Sequence, residues 1–257
     1  MNEIIINVEN ITKIYDQMTD YPVKSLINVS LQVEKGEFIA IMGPSGSGKT
    51  TFINCLSTMD TPTEGKIYLY GKSILELSNK EIGKFRSDEI GFIFQDYQLL
   101  DYLTIVENIA FPLSMNKISV STMKKKIRTV AKDLNIENIL DKYPDECSGG
   151  EKQRVAIARA LVSNPSIIIA DEPTGNLDSK NTFELMHIFN NLNEKYGKTI
   201  VLVTHDVMVA SYSSRLLYIQ DGKIKEQIKR KNFENQEKYF FEITQINSQE
   251  RLSILSH

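Results

Sequence analysis

The sequence predicts an α/β fold interrupted by a mainly helical insertion, and three observations carry that reading. Short, almost wholly apolar runs of buried-strand type recur at residues 37–42, 90–95, 167–170 and 199–203. The first runs straight into Gly43-Pro44-Ser45-Gly46-Ser47-Gly48-Lys49-Thr50, two glycines separated by four residues and followed by Lys and Thr, and residues 51–56 can begin a helix. Between about 96 and 163 the apolar spacing turns helical, Ile105, Ile109 and Leu113 recurring at four and Ile127, Val130, Ala131 and Leu134 at three and four.

The glycine-rich stretch is a phosphate-binding P-loop in the strand–loop–helix context that such a loop needs. Its glycines allow backbone conformations and close approaches that a Cβ would block. Backbone N–H groups then face inward at a helix N-terminus, where the dipole also favours an anion. Lys49 adds a positive charge for terminal phosphates, the Thr50 hydroxyl can ligate Mg²⁺, and Thr51 follows at the same helix start. This is a nucleotide site.

Composition sets the bounds around it. A chain of 257 residues can bury a real core as one large domain or two small ones. Its net charge of −3 advertises no basic patch of the size that nucleic acid demands. Cys55 and Cys147 lie far apart without a metal-type spacing and suit small apolar fillers in a reducing compartment. The start of the chain lacks the basic, then long-apolar order of a signal peptide, and no apolar stretch approaches the ~20 residues that span a bilayer. A soluble protein is expected, one that can still sit on a membrane partner.

Taken in order, residues 4–8 and 26–33 read as strands, with 15–22 a loop between them. Tyr15 in that loop can stack on a nucleobase or simply cover the sheet edge. Residues 61–65 form a turn before a strand over 66–71. Gln95 ends the 90–95 strand, where polar punctuation is the ordinary role. Residues 96–104, with Tyr97, Leu99, Leu100, Tyr102 and Leu103, are more apolar than a free loop should be, through core packing of the insertion or contact with a membrane partner. Lys124-Lys125-Lys126 reads as a solvated helix face.

Ser148 resembles an N-cap with Glu151 three residues on, as in a capping box. That helix start is a second anion-binding end, and Gly149-Gly150 suggests that something approaches its backbone closely. The apolar run at 167–170 delivers Asp171 and Glu172 at a strand end, with side chains expected to point to opposite sides. Two adjacent carboxylates there are expensive unless a metal and a reaction use them. Asn176-Leu177-Asp178 precedes a helix over about 180–196. His205 follows the 199–203 strand at the sheet edge also assigned to Gln95 and Asp171; alone it could be structural or catalytic. Residues 216–220 and 223–228 form a hairpin across Asp221-Gly222. Residues 229–257 read as a polar, helical extension with Phe233, Phe240, Ile243 and Ile246 as its apolar set.

The P-loop, Gln95, the Ser148-Gly149-Gly150 helix start, Ile167-Ile168-Ile169-Ala170-Asp171-Glu172, Asn176-Leu177-Asp178 and His205 follow the order and spacing of ATP-binding cassette ATPases. The chain is similar to that family from residue 1 to about 228. The resemblance implies a P-loop NTPase core of mixed sheet flanked by helices, a helical signature-motif subdomain over about 96–163 and a small antiparallel β subdomain, with 229–257 as a C-terminal extension. It implies ATP held between two copies packed head to tail, residues 43–51 of one facing Ser148, Gly149 and Gly150 of the other. By the same resemblance Thr50, Gln95 and Asp171 hold Mg²⁺ directly or through water, and Glu172 is the general base. His205 bridges the γ-phosphate and the loop of Asp178, and Tyr15 stacks on adenine.

Two positions depart from the family pattern, Cys147 for the usual leucine and Glu151 for the common glutamine. Neither supplies the phosphate-binding serine or glycines. Within the family, residues 91–100 and 173–179 resemble the macrolide-export and lipoprotein-release group. Residues 210–215 and the Phe240-Phe241 tail look most like its bacitracin- and lantibiotic-resistance branch, whose ATPases pair with a separate permease. A DNA-repair type ATPase would need a long coiled coil between P-loop and signature, and a translation-type protein would carry two cassettes. A cell-division or lipoprotein-release cassette, or a soluble assembly ATPase, remains the alternative.

Overall fold

The computed structural model describes residues 3–16, 21–114 and 118–255. Its elements, numbered along the chain, begin with β1 (Ile4–Tyr15), β2 (Val23–Glu34), β3 (Phe38–Met42), α1 (Lys49–Leu56), β4 (Glu64–Leu69) and β5 (Lys72–Ser73). There follow α2 (Asn79–Glu89), β6 (Ile90–Ile93), α3 (Ile105–Ser114), α4 (Val120–Asp133), α5 (Gly149–Leu161), β7 (Ile167–Asp171) and α6 (Ser179–Glu194). The last are β8 (Thr199–Val203), α7 (Val207–Ala210), β9 (Arg215–Gln220), β10 (Lys223–Lys229) and α8 (Gln236–Leu255). They pack as two units, Met1–Ile82 with Thr199–His257, and Gly83–Lys198.

In the first unit β3 is buried at every residue. It pairs in parallel with β8, Ile41 opposite Val203, and with β9, Ile41 opposite Leu217, while β10 runs antiparallel to β9. A strand covered on both faces reads as a continuous apolar run, which is why β3 and β8 are legible without alternation. An antiparallel sheet in the order β2-β1-β4-β5 accompanies them. Arg215 of β9 ties the two sheets together: its guanidinium donates to the Gln32 carbonyl of β2 at 2.6 Å and to the Glu37 carboxylate at 2.9 Å. Both turns of the hairpins β4–β5 and β9–β10 are two-residue turns with positive φ at each position, Tyr70-Gly71 and Asp221-Gly222. The strand expected over 66–71 therefore stops at Leu69 and turns.

β1 and β2 run longer than expected. Asn10 and Asn28 sit in the left-handed region at φ 51, and the β1–β2 register slips between Val8 and Ile11. Such bulges break the alternation on which a strand reading depends. Tyr15 thus closes β1 rather than starting a loop, and residues 17–20 of that loop lie outside the described residues.

The second unit carries the parallel pair β6–β7, in register at Ile93 and Ala170, together with α3, α4, α5 and α6. The three helices expected within 96–163 are there, and the unit extends beyond them on both sides. α2 escaped the sequence reading because none of its residues is buried, so it has no apolar stripe to reveal it.

α8 joins the first unit. Tyr239 and Ile243, four residues apart on one helix face, are fully buried against Ala40, Met42, Ala210, Leu216 and Tyr218. Phe233 and Ile246 pack at the margin, as expected, but Tyr239 is the anchor and Phe240 is half-buried. The Tyr239 hydroxyl lies 3.3 Å from Ser213 Oγ, and burial pushes its pKa up to about 12. Tyr239→Ala should cost about 3–5 kcal/mol, the range for truncating a buried aromatic ring. Tyr239→Phe should cost about 1 kcal/mol, the worth of one hydrogen bond. Thermal midpoints of the two variants check this; equal losses would mean that the hydroxyl, not ring burial, docks α8.

Candidate functional site

The P-loop follows β3 because two of its glycines have nowhere to put a side chain. A Cβ on Gly43 (φ 148) would lie 1.9 Å from the Ile219 carbonyl oxygen, and one on Gly48 (φ 102) would lie 2.3 Å from that of Ser25. The chain is thereby bent so that α1 starts at Lys49. That helix start has no side-chain cap and no acidic residue in its first turn, so its orphan N–H groups and dipole face an anion site unopposed. Lys49 is 8% exposed, and its ammonium donates to the carbonyls of Gly43 at 2.9 Å and Pro44 at 2.7 Å. Ser47 is buried, and its hydroxyl finds no hydrogen-bond partner. A buried donor left unpaired in a bare helix cradle is what a phosphate oxygen would satisfy. Ser45, Gly46 and Thr50 are exposed along the same loop, Pro44 is half-buried, and Thr51 shares its hydroxyl with Ser25 at 2.8 Å.

His205 belongs to the same unit. The N–H of Thr204 donates to the Ile41 carbonyl at 3.1 Å, so the chain leaves β8 beside the point where it leaves β3 for Gly43. His205 is exposed there, and Asp206 caps α7 by accepting from the N–H of Met208 at 2.7 Å. Tyr15, 38% exposed, is held by its hydroxyl, which donates to Asp60 at 2.8 Å. The Lys13 ammonium, itself paired with Asp60 at 2.5 Å, lies 4.9 Å from the ring centroid. The ring is fixed in place with part of its surface open, as a stacking platform requires.

The second unit gathers Gln95, Asp171 and Glu172. β6 and β7 run parallel, so Gln95 and Asp171 emerge at the same C-terminal end, where open α/β sheets bind ligands. Asp171 is the last residue of β7, and Glu172 has left the pleat in a left-handed conformation at φ 45. The opposed side chains expected from strand alternation therefore do not apply; a backbone turn separates the two carboxylates instead. That turn is closed by the N–H of Gly175 on the Glu172 carbonyl at 3.0 Å, and Asn176 donates to the Gln95 carbonyl at 3.2 Å. A non-glycine residue in this region stores strain of order 1–3 kcal/mol, which tends to mark functional sites. Asp178 caps α6; the N–H of Asn181, at 2.8 Å, holds its carboxyl below the usual carboxylate range.

At the start of α5 the capping box is present. Ser148 Oγ accepts from the N–H of Glu151 at 3.3 Å, and the Glu151 carboxylate accepts from the Ser148 N–H and hydroxyl, each at 2.8 Å. Those bonds hold Glu151 below the usual carboxylate range. Close neighbours lie within the chain, both of them side-chain ends: a Cβ on Gly150 would lie 2.5 Å from Asn181 Oδ1, and one on Gly149 would lie 3.3 Å from the Tyr97 hydroxyl.

Two residues were not foreseen. Arg159 of α5 donates to the carbonyl of Gln98 and, at 2.7 Å, to that of Tyr97. Tyr97 and Gln98 are consecutive left-handed residues, φ 57 and 48, immediately after Gln95 and Asp96. Asn108 of α3, fully buried, donates to the carbonyls of Leu100, Leu103 and Thr104 and accepts from the Leu100 N–H. The loop over 97–104 is thus pinned from α5 and from α3, while Tyr102 stands 76% exposed on it. An Arg in an alanine-rich helix and an Asn at an otherwise apolar position were the only traces in the sequence.

The sequence model of the ABC transporter family matches residues 26–175, more than half of the chain. The bacitracin export ATP-binding protein BceA of Halalkalibacterium halodurans is 47% identical over 239 residues, 93% of this chain and 94% of that protein. The macrolide export ATP-binding/permease protein MacB of Syntrophobacter fumaroxidans is 43% identical over 86% of this chain and 31% of that protein. Among solved structures, the dimeric post-hydrolysis state of the ATP-binding cassette MJ0796 bound to ADP and Pi, from Methanocaldococcus jannaschii, matches with TM-score 0.82 and 41% identity over 88% of this chain and 98% of that one. Among the described residues no helix is long and apolar enough to cross a membrane, and no group of three His, Cys, Asp or Glu could hold a metal alone. Mg²⁺ at a nucleotide site takes one or two carboxylates together with substrate phosphates, so a single carboxylate such as Asp171 is a sufficient protein ligand of that kind. The bare α1 terminus, the buried Ser47 hydroxyl and Lys49 fit the phosphates of ATP. With its P-loop cassette fold, the chain belongs to the ABC transporter family as an ATPase subunit.

Proposed function

We propose that two copies of this chain close head to tail over ATP and drive a separate membrane permease that removes or expels an antimicrobial peptide such as bacitracin or a lantibiotic. It does so from the cytoplasmic face of a bacterial membrane. The observation that carries the catalytic part is Glu172, held in a left-handed turn directly after Asp171 on the end of β7. The peptide class is supported by the likeness to BceA, whose name gives bacitracin export. The permease is supported by the exposed Tyr102 on a loop whose backbone is fixed by Arg159 and Asn108.

In this reading residues 43–51 bind the phosphates through backbone N–H groups, with Lys49 turning from its own loop carbonyls to the β- and γ-oxygens. Thr50, Gln95 and Asp171 hold Mg²⁺, which when bound neutralises charge on the phosphates. Tyr15 stacks on adenine, and His205 hydrogen-bonds the γ-phosphate. Glu172 accepts the proton of the attacking water. Ser148, Gly149 and Gly150 of the other copy close the site, and the loop of Asp178 faces His205 across it. Residues 1–228 form the nucleotide-binding domain, with 229–257 as its docked extension.

Glu172→Gln should lower hydrolysis by roughly 10²–10⁴, the usual worth of general-base help, while ATP still binds. On a sizing column the variant should run as a dimer in ATP and a monomer in ADP. Hydrolysis near the wild-type rate would move the base elsewhere, with His205 first in line.

Arg159 is a positioning residue in this scheme, because it fixes the two strained carbonyls that follow Gln95. A lysine cannot span both carbonyls. Arg159→Lys should therefore raise several-fold the Mg²⁺ concentration giving half-maximal hydrolysis, with Mg²⁺-free nucleotide affinity unchanged. Parallel loss of thermal stability and Mg²⁺-free affinity would reduce Arg159 to a packing role.

Glu151 places an ionised carboxylate at the helix end offered to the other copy's ATP. Removing that charge should outweigh the weaker cap: Glu151→Gln should tighten the ATP dimer by about 0.3–1 kcal/mol, most at low salt. Sedimentation in the Glu172→Gln background at two salt concentrations checks this; a change insensitive to salt would rule out the electrostatic cause.

A further inference from the structure

The second unit contains an open groove of about 560 Å³ that none of the nucleotide chemistry uses. α4 forms one bank, the end of α6 the other, and the end of α5 lies between them. Its floor is apolar: Val130 and Leu134 from the α4 side, Leu161 and Val162 after α5, Ile188 and Leu192 from α6. Both banks are basic. Lys125 and Lys126 stand on α4, Lys195 and Lys198 at the end of α6, against Asp133 as the one carboxylate of the lining. This is a local excess of positive charge on a chain whose net charge is −3.

The lysines differ in what they already do. Lys198 is committed, donating to the Asn164 side chain at 2.8 Å and the Pro165 carbonyl at 2.6 Å, and burial lowers its pKa. No ion pair among the described residues engages Lys125, Lys126 or Lys195. The positive field continues along α4 through Lys124, Arg128 and Lys132, which line an adjoining depression. The run of lysines read from the sequence as a solvated face is therefore one bank of a recess.

We propose that this groove is a docking site for an acidic amphipathic helix of a protein partner. An apolar floor left in water gains roughly 25 cal/mol for each Å² that an occupant covers, so the occupant needs an apolar stripe. Positive charge on both banks asks for acidic residues on both sides of that stripe, the pattern of a helix lying in a groove. A single-headed anionic amphiphile would need a basic group at one end only. A lipid surface is flat and would meet the exposed outer face of α4 without reaching a floor recessed between two helices. The proposal is independent of the nucleotide chemistry, and its docked helix would reach the α5 end of the signature unit without touching the ATP site residues.

The test uses the full chain and a fluorescein-labelled helical peptide of repeated Glu-Leu-Leu-Glu-Glu-Leu-Leu units, read by anisotropy. Wild type should bind it saturably, and Lys125→Glu with Lys195→Glu should weaken binding at least about tenfold, a loss of about 1.4 kcal/mol. The control pair Lys223→Glu with Lys225→Glu, on the exposed edge of β10, makes the same charge change and should leave binding within about twofold. All four lysines are exposed, so folding is spared. Equal loss in both pairs would reduce the effect to overall charge and overturn the proposal, as would absence of binding to wild type. Phosphatidylglycerol vesicles form the second arm. Vesicle binding that falls with Lys125 and Lys195 while peptide binding does not would make this a membrane-facing surface and overturn it too.

Discussion

The carbonyl oxygens of Ile219 and Ser25 leave no room for a side chain at Gly43 and Gly48, and the first unit depends on that steric constraint. Ile219 sits on β9, paired with β3, and Ser25 on β2 of the neighbouring antiparallel sheet. The two sheets therefore grip the P-loop from either side. Arg215 also links them, reaching from β9 to the Gln32 carbonyl of β2. With the loop so clamped, α1 must begin where it does, with no side-chain cap and with the Ser47 hydroxyl unpaired. Burying an unpaired donor costs of order 1–3 kcal/mol, so an anion that accepts from Ser47 would offset a penalty already present in the fold.

The second unit solves the opposite problem. Its candidate residues Gln95 and Glu172 lie in or beside strained rather than bare backbone, with Tyr97, Gln98 and Glu172 all at positive φ. Strain of this kind persists only where surrounding contacts over-determine it. For Tyr97 and Gln98 those contacts come from Arg159, whose planar guanidinium meets two carbonyls at once. For Glu172 they come from the turn closed by Gly175. The loop after Gln95 is in this way attached to α5, the same helix whose first turn is the signature, so a shift of either is felt by the other.

Which parts could be read from the sequence follows from where each partner lies. The buried strands β3, β7 and β8 announced themselves as apolar runs, and the Ser148–Glu151 box spans a single helical turn. Both are local patterns. β1 and β2 were cut short because Asn10 and Asn28 bulge out of alternation, and α2 was missed because nothing in it is buried. The Gly149-Gly150 pair reads as a close approach by an outside group, whereas within the structure the atom that Gly150 meets is Asn181 of the same chain. Arg159 and Asn108 were invisible for a different reason: they bond backbone carbonyls, which carry no residue identity. For Arg159 those carbonyls lie some 60 positions away.

The two helix starts proposed to meet the nucleotide are prepared in contrasting ways. α1 has no cap and no acid in its first turn, so its full dipole and the Lys49 charge act on an anion. α5 is satisfied within its own chain, its Ser148 hydroxyl already donating to an ionised Glu151. A helix terminus whose partial positive charge is offset by a carboxylate attracts phosphate weakly. In the proposed head-to-tail pair, affinity for the nucleotide would thus be concentrated in one copy's P-loop, and the other copy's Ser148 helix start would contribute geometry more than binding energy. In that proposal such a lid would close only while the γ-phosphate bridges it and open when that bridge is cut. Weak closure is what a cycling machine needs, since a tightly bound lid would hold product as firmly as substrate.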